Sequence, residues 1–165
     1  MPLVLVGCST SKSESVSVGA DGSSVTVTAP DGTRTSSTTN PDGSSNVTIT
    51  ADNGEQATMS TGKDGSVTEA EIGVPFYPGS TEKPGSSFKV EVKGEKDYSS
   101  VRTTTDNPAK VADFYKEKVK GSTSAGSADM MIVTGRLESG GKFSMTAIKA
   151  GNETTVTIGV AIKTN

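Results

Sequence analysis

Between residues 21 and 65 the chain carries Asp-Gly or Asn-Gly at a near-constant interval: Asp21-Gly22, Asp31-Gly32, Asp42-Gly43, Asn53-Gly54 and Asp64-Gly65. Successive steps are 10, 11, 11 and 11 residues. Such pairs tolerate positive φ and favour tight hairpins. The segments between them alternate apolar and hydroxyl residues: Val25-Thr26-Val27-Thr28, Val47-Thr48-Ile49-Thr50 and Ala57-Thr58-Met59-Ser60. A period of two is that of a half-buried strand, and Val and Thr suit the pleated surface because both are β-branched. Residues 16–71 are therefore expected to form an antiparallel up-and-down β-meander of about 11-residue repeats. One unit, Arg34-Thr35-Ser36-Ser37-Thr38-Thr39, has no apolar residue. A single layer with Val on one face cannot bury that face by itself. It must lie on the rest of the chain, meet a partner, or fray; disorder is the competing reading of a stretch without aromatics. Regular Asp residues also raise the question of calcium. Neither the Gly-Gly-x-Gly-x-Asp nonapeptide nor the alternating Asp and distal Glu of an EF-hand loop is present, and hairpin chemistry accounts for the Asp-Gly pairs.

The composition changes near Ile72. All seven aromatics (Phe76, Tyr77, Phe88, Tyr98, Phe114, Tyr115 and Phe143) follow residue 75, whereas Ser and Thr make up roughly 40% of residues 9–71. Residues 72–165 read as an α+β unit of order β-β-α-β-β-β, one helix covering an antiparallel sheet. Phe88 to Lys93 alternates with its ring and valines on one face, and Tyr98 to Thr105 forms a second strand. Asp106-Asn107-Pro108 starts a helix with a capping residue and a proline in the first turn. Val111, Phe114, Tyr115 and Val119 lie at helical spacing, and Gly121 is the expected stop. Phe114 is expected to be the main anchor, its ring facing Val90 and Val160. Met130 to Leu137, Phe143 to Ala147, and Val156 to Ile162 complete the sheet, with Val156, Ile158, Val160 and Ile162 sharing a face. The whole is an α+β chain, mainly β.

Composition excludes several chemistries. There is no histidine and one cysteine, so Ser-His-Asp and Cys-His arrangements, His-ligated zinc, an intrachain disulfide and CxxC sites are all ruled out. A net charge of −3 makes no case for nucleic acid. Neither GxxxxGK[ST] nor GxGxxG occurs, and no cofactor is implied. Asp97, Asp106, Asp113 and Glu117 form no recognisable acid/base pair and read as solvated or capping charges. Phe76 and Tyr77, between Pro75 and Pro78, either pin a loop onto the sheet or stack on a ligand; they are the only binding residues the sequence suggests. A non-enzymatic role is expected.

Leu5-Val6-Gly7-Cys8 follows a short apolar run and precedes the polar stretch Ser9-Thr10-Ser11-Lys12-Ser13-Glu14-Ser15. It resembles the lipobox of bacterial lipoproteins, with residues 1–8 the remnant of the signal and 9–15 a tether. That resemblance implies lipidation of Cys8 and a membrane anchor. With Ser9 rather than Asp after the cysteine, it implies outer-membrane placement in the cell envelope, where an envelope protein is a possible partner. The apolar run is short and no Lys or Arg precedes it, so an upstream start is expected; the other reading is a free cysteine. Further on, Pro75-Phe76-Tyr77-Pro78-Gly79 together with Asp106-Asn107-Pro108 and Val111-Ala112-Asp113-Phe114-Tyr115-Lys116 is similar to a "P-x-Y-P-G … F-Y-K" domain of uncharacterised bacterial secreted proteins and lipoproteins. The similarity spans about residues 72–121 and implies no catalytic residues. A secreted binding module without an anchor is the alternative.

Overall fold

The computed structural model describes residues 15–20 and 23–164. It is mainly β, with two helices and one antiparallel sheet of twelve strands. The strands are β1 (Ser15–Val18), β2 (Ser24–Thr28), β3 (Arg34–Thr39), β4 (Ser45–Thr50), β5 (Gln56–Thr61), β6 (Thr81–Glu82), β7 (Phe88–Val92), β8 (Glu95–Thr104), β9 (Lys120–Gly126), β10 (Met130–Arg136), β11 (Lys142–Ala150) and β12 (Glu153–Lys163). Helix α1 (Glu69–Ile72) lies between β5 and β6, and α2 (Pro108–Lys116) between β8 and β9. Across the sheet the order is β1-β2-β3-β4-β5-β7-β8-β12-β11-β10-β9, with β6 beside the far end of β8.

Three hairpin loops share one construction. In each, an N–H···O bond spans four residues (Gly32 to Ala29, Gly43 to Asn40, Gly54 to Ala51), and the Asx side chain accepts the N–H two residues on. Only the glycine has positive φ, at 93°, 81° and 81°. These are three-residue loops ending in a left-handed glycine. The Asp or Asn is a hydrogen-bond acceptor, with no need for an unusual backbone. Asp21-Gly22 lies outside the described residues. Asp64-Gly65, expected to make another hairpin, does not. The chain leaves the sheet there through α1, and β5 pairs instead with β7.

Registered neighbours share a face, and this divides the sheet sharply. On one face, Val156, Ile158 and Val160 of β12 stand beside Met145 and Phe143 of β11 and Val133 of β10, all buried under α2. Followed outward, that same face becomes polar: Lys89, then Ser60, Asn46 and Thr38. The opposite face reverses the pattern. It carries Val16, Val18, Val25, Val27, Val47, Ile49, Met59, Val90 and Val92 across β1–β7, and is largely polar beyond β8. The first five strands therefore continue the sheet edge to edge and do not fold over it. Their valine face stays open, with Val16 at 64% and Ile49 at 44% exposure. Phe88, Val90 and Val92 belong to this open face, which corrects the expectation that Val90 packs under the helix.

The helices also differ from expectation. Two are present where one was expected. Thr68 caps α1, its hydroxyl accepting from Glu71 N–H while the Glu71 carboxylate accepts from Thr68 N–H. Gly73 ends the turn at φ 76°. Ile72 is fully buried and shares the core with Val67 and Val74, so residues on both sides of the composition change contribute to it. In α2, Asn107 is the cap and accepts from Lys110 N–H. The helix ends at Lys116; Gly121 lies in β9, at φ 58°, and is not the stop. Pro108, Val111, Ala112 and Tyr115 are the fully buried helical positions. Phe114, the expected anchor, is only half-buried at the rim, edge-on to Tyr77 and Tyr115. Val111, Tyr115 and Val119 of the expected stripe are buried, and Tyr115, not Phe114, is the anchor, packed on Phe143.

Candidate functional site

Cys8 lies outside the described residues. Phe76 and Tyr77 are brought together with α2, in a loop fastened by hydrogen bonds and a cation–π contact. Phe76 N–H donates to Glu69 at 2.7 Å, and its ring lies 4.0 Å beneath the Arg102 guanidinium. Arg102 in turn donates from Nε to Ser80 Oγ and from Nη2 to the Ser80 carbonyl, both at 2.9 Å. Tyr77 is buried; its N–H donates to the Tyr115 hydroxyl at 3.0 Å and its hydroxyl to Asp106 Oδ2 at 2.6 Å. Lys110 Nζ reaches both Asp106 oxygens at 3.0 Å. Tyr77 and Lys110 hold the Asp106 carboxyl below its ordinary range. Burial, and then Asp106, push the Tyr77 phenol up; burial pushes Tyr115 up further. The Tyr77 phenol proton is held by Asp106, and the Asp106 carboxylate by Tyr77 and Lys110. This constellation is a clasp between loop and helix.

A second polar cluster ties loops of the outer strands. Asp64 Oδ2 accepts from Asn40 and Asn46 at 2.9 Å and from Ser44 at 3.2 Å, while Ser44 Oγ also donates to Asp42 at 2.7 Å. Ser44 is fully buried. Its hydroxyl and N–H lower the Asp42 pKa. These bonds join the β3–β4 loop, β4 and the segment after β5. Among the described residues no group of three or more His, Cys, Asp or Glu could hold a metal ion, and no helix is long and apolar enough to cross a membrane.

A large concavity lies on the open face, behind the helix-covered core. It is a trough of about 760 Å³ running across β7, β8, β12, β11 and β10. Its floor is Ser99, Gly159 and Ser144, successive members of one cross-strand row that runs on through Thr134 to Thr123. Gly159 keeps the floor low: a Cβ there would meet Ser144 Oγ at 2.9 Å. A glycine within a run of β-branched residues often marks such a close approach. Phe88 stands at the β7 end of this row with 38% of its surface exposed. The adjacent row reads Arg136, Lys142, Ala161, Asp97. The trough was not foreseen from sequence, because its lining comes from strands up to 73 residues apart, Phe88 to Ala161; Gly159 was the local clue. No known protein family matches the chain, and no curated protein or solved structure was found to be similar to it.

Proposed function

We propose that the chain is a non-enzymatic, lipid-anchored protein of the bacterial cell envelope. In this reading Cys8 carries the lipid, residues 9–15 are a tether and residues 16–71 a β-repeat spacer. Residues 72–165 form the α+β domain that does the binding. The observation that carries the reading is Leu5-Val6-Gly7-Cys8 placed directly before a polar tether and a strand-rich region. More than one acyl chain on that cysteine would make a stable anchor, at about 0.8 kcal/mol per buried CH₂. Support for a binding role is the contrast between the two sides of the C-terminal strands: one sealed under α2, the other open and hollow. The test is expression from the chromosomal locus with labelled fatty acid. Label on the wild-type chain and none on Cys8→Ser is the expected result; an unlabelled wild-type chain defeats the anchor and leaves the secreted binding module.

A further inference from the structure

We propose that the trough binds an acidic saccharide, the anionic group held by Arg136 and Lys142 and a sugar ring laid over Gly159 against Phe88. Arg136 and Lys142 are direct cross-strand partners on the open face. Like charges in that position repel. Lys120, on β9, is registered with Arg136 on the other side, so three cations stand abreast on adjacent strands. Lys120 has Glu138 at 3.4 Å; Arg136 and Lys142 have neither an ion pair nor a side-chain hydrogen bond among the described residues. A strand arrangement that sets two unneutralised cations side by side at the wall of a hollow is complementary to an anion. Both also border a smaller notch of about 170 Å³ at the strand ends, so an anionic group bound between them would be reached from two sides.

The rest of the trough selects a saccharide over a bare ion. Its floor offers the hydroxyls of Ser144 and Thr134, one cross-strand spacing of about 4.8 Å apart, and that of Ser99 two spacings from Ser144 across Gly159; each can donate and accept, Thr134 sharing its hydroxyl with Thr123 at 2.9 Å. Phe88 supplies an apolar face at the end of that row, and Asp97 an acceptor for sugar hydroxyls on the next. The hollow is open and shallow, which suits an extended chain and not an enclosed small molecule. The inference rests on the binding role proposed above and is independent of the anchor.

The test is a nuclear magnetic resonance titration of the full chain with an oligogalacturonate, a dextran sulfate fragment, the neutral oligogalactan and inorganic phosphate. The two acidic saccharides separate carboxylate from sulfate recognition. An acidic saccharide should shift the amides of Ser144, Gly159 and Arg136, and the neutral chain should not. Phosphate alone should shift only the region of Arg136 and Lys142. Arg136→Gln with Lys142→Gln removes both charge-assisted contacts and should weaken saccharide binding by roughly a hundredfold, about tenfold for each. Phe88→Ala should weaken the saccharide and leave phosphate unchanged. Arg136 and Lys142 are exposed, so an unchanged melting temperature is expected and checked for the double substitution; Phe88 is 38% exposed, and its variant is checked to be folded by its amide spectrum. Binding unaffected by the double substitution, or no binding of either acidic saccharide, overturns the proposal. So does tighter, Arg136-dependent binding to anionic phospholipid vesicles, which would assign the cations to a membrane surface. Fatty-acid labelling of Cys8 would stand in each of these cases.

Discussion

Ser100 Oγ is buried without a hydrogen-bond partner among the described residues. It faces the core beside Ile158, where a methyl group would serve as well. Ser100→Ala should therefore be neutral or slightly stabilising in a urea titration, since the desolvated hydroxyl returns nothing. Tyr115 is the opposite case. Its ring fills the centre of the core and its hydroxyl satisfies the buried Tyr77 N–H. Tyr115→Ala should cost about 3–5 kcal/mol. Tyr115→Phe should cost about 1–3 kcal/mol by orphaning that N–H. Phe114→Ala, at the rim, should cost less than Tyr115→Ala in the same titration; the reverse order would put the helix phase where the sequence suggested. The clasp also sets a pH response. Asp106 and Glu71 both have lowered pKa values in the fold; for Glu71 burial pushes upward, but the bonds from Lys89 and Thr68 outweigh it. Between the folded and unfolded values the unfolded chain binds more protons, so stability is present above about pH 4 and is lost as pH falls through the folded values. Asp106→Asn should flatten the acid limb of a melting-temperature profile between pH 6 and 3.

The hairpin loops provide a matched set of substitutions. A Cβ on Gly43 meets nothing within 4 Å, so Gly43→Ala should lose only the backbone preference, about 1–2 kcal/mol. Gly62 also has positive φ, but there a Cβ would lie 2.7 Å from Ser44 Cα. Gly62→Ala should cost distinctly more in chemical denaturation; equal losses would mean the Ser44 loop yields easily. Elements of this kind differ in how far the sequence reveals them. Strands with regular alternation, such as Val47 to Thr50 or Val156 to Ile162, show their period locally. So does the start of α2, because Asn107-Pro108 is a local signal. Helix α1 is one turn and shows no period, although its Thr68-x-x-Glu71 box was there to read. Strand β9, Lys120–Gly126, has only Ala125 as an apolar residue and is held as an edge strand by pairing with β10. Which face of β7 is inward was not legible, because alternation gives the phase and only the neighbouring strand decides the side. For the same reason Phe76 and Tyr77 were noticed and the trough was not: adjacent residues are visible in sequence, and cross-strand rows are not.

At the scale of the molecule, the core and the sheet do not share a boundary. The core takes in Val67 and Ile72 from the segment that follows β5. A fragment starting at Ser66 should fold cooperatively in a thermal melt, whereas one starting at Gly73 lacks both side chains, α1 and the Lys89–Glu71 pair at 2.6 Å, and should melt lower or not at all. Stability should also grade along the sheet. Strands β8, β12 and β11 are covered by core on one side, while β1–β4 have only their neighbours. Amide exchange should accordingly be slowest in Ile158 and Val156 and fastest in β1, with intermediate values falling off from β5 outward. Uniform protection across all strands would mean that something covers the valine face in solution.

The edge-to-edge continuation of β1–β5 has a mechanical consequence. A load drawn from Ser15 toward the helix-covered end acts along the hydrogen bonds, transverse to the strands. Bonds loaded in that direction open as a zip, one strand after another, and each released strand with its loop adds about 11 residues of slack, roughly 37 Å when extended. The outer strands would thus behave as a stepwise extensible leash, yielding at low force and re-forming when slack, while β8 and β12 hold their shape until the last step.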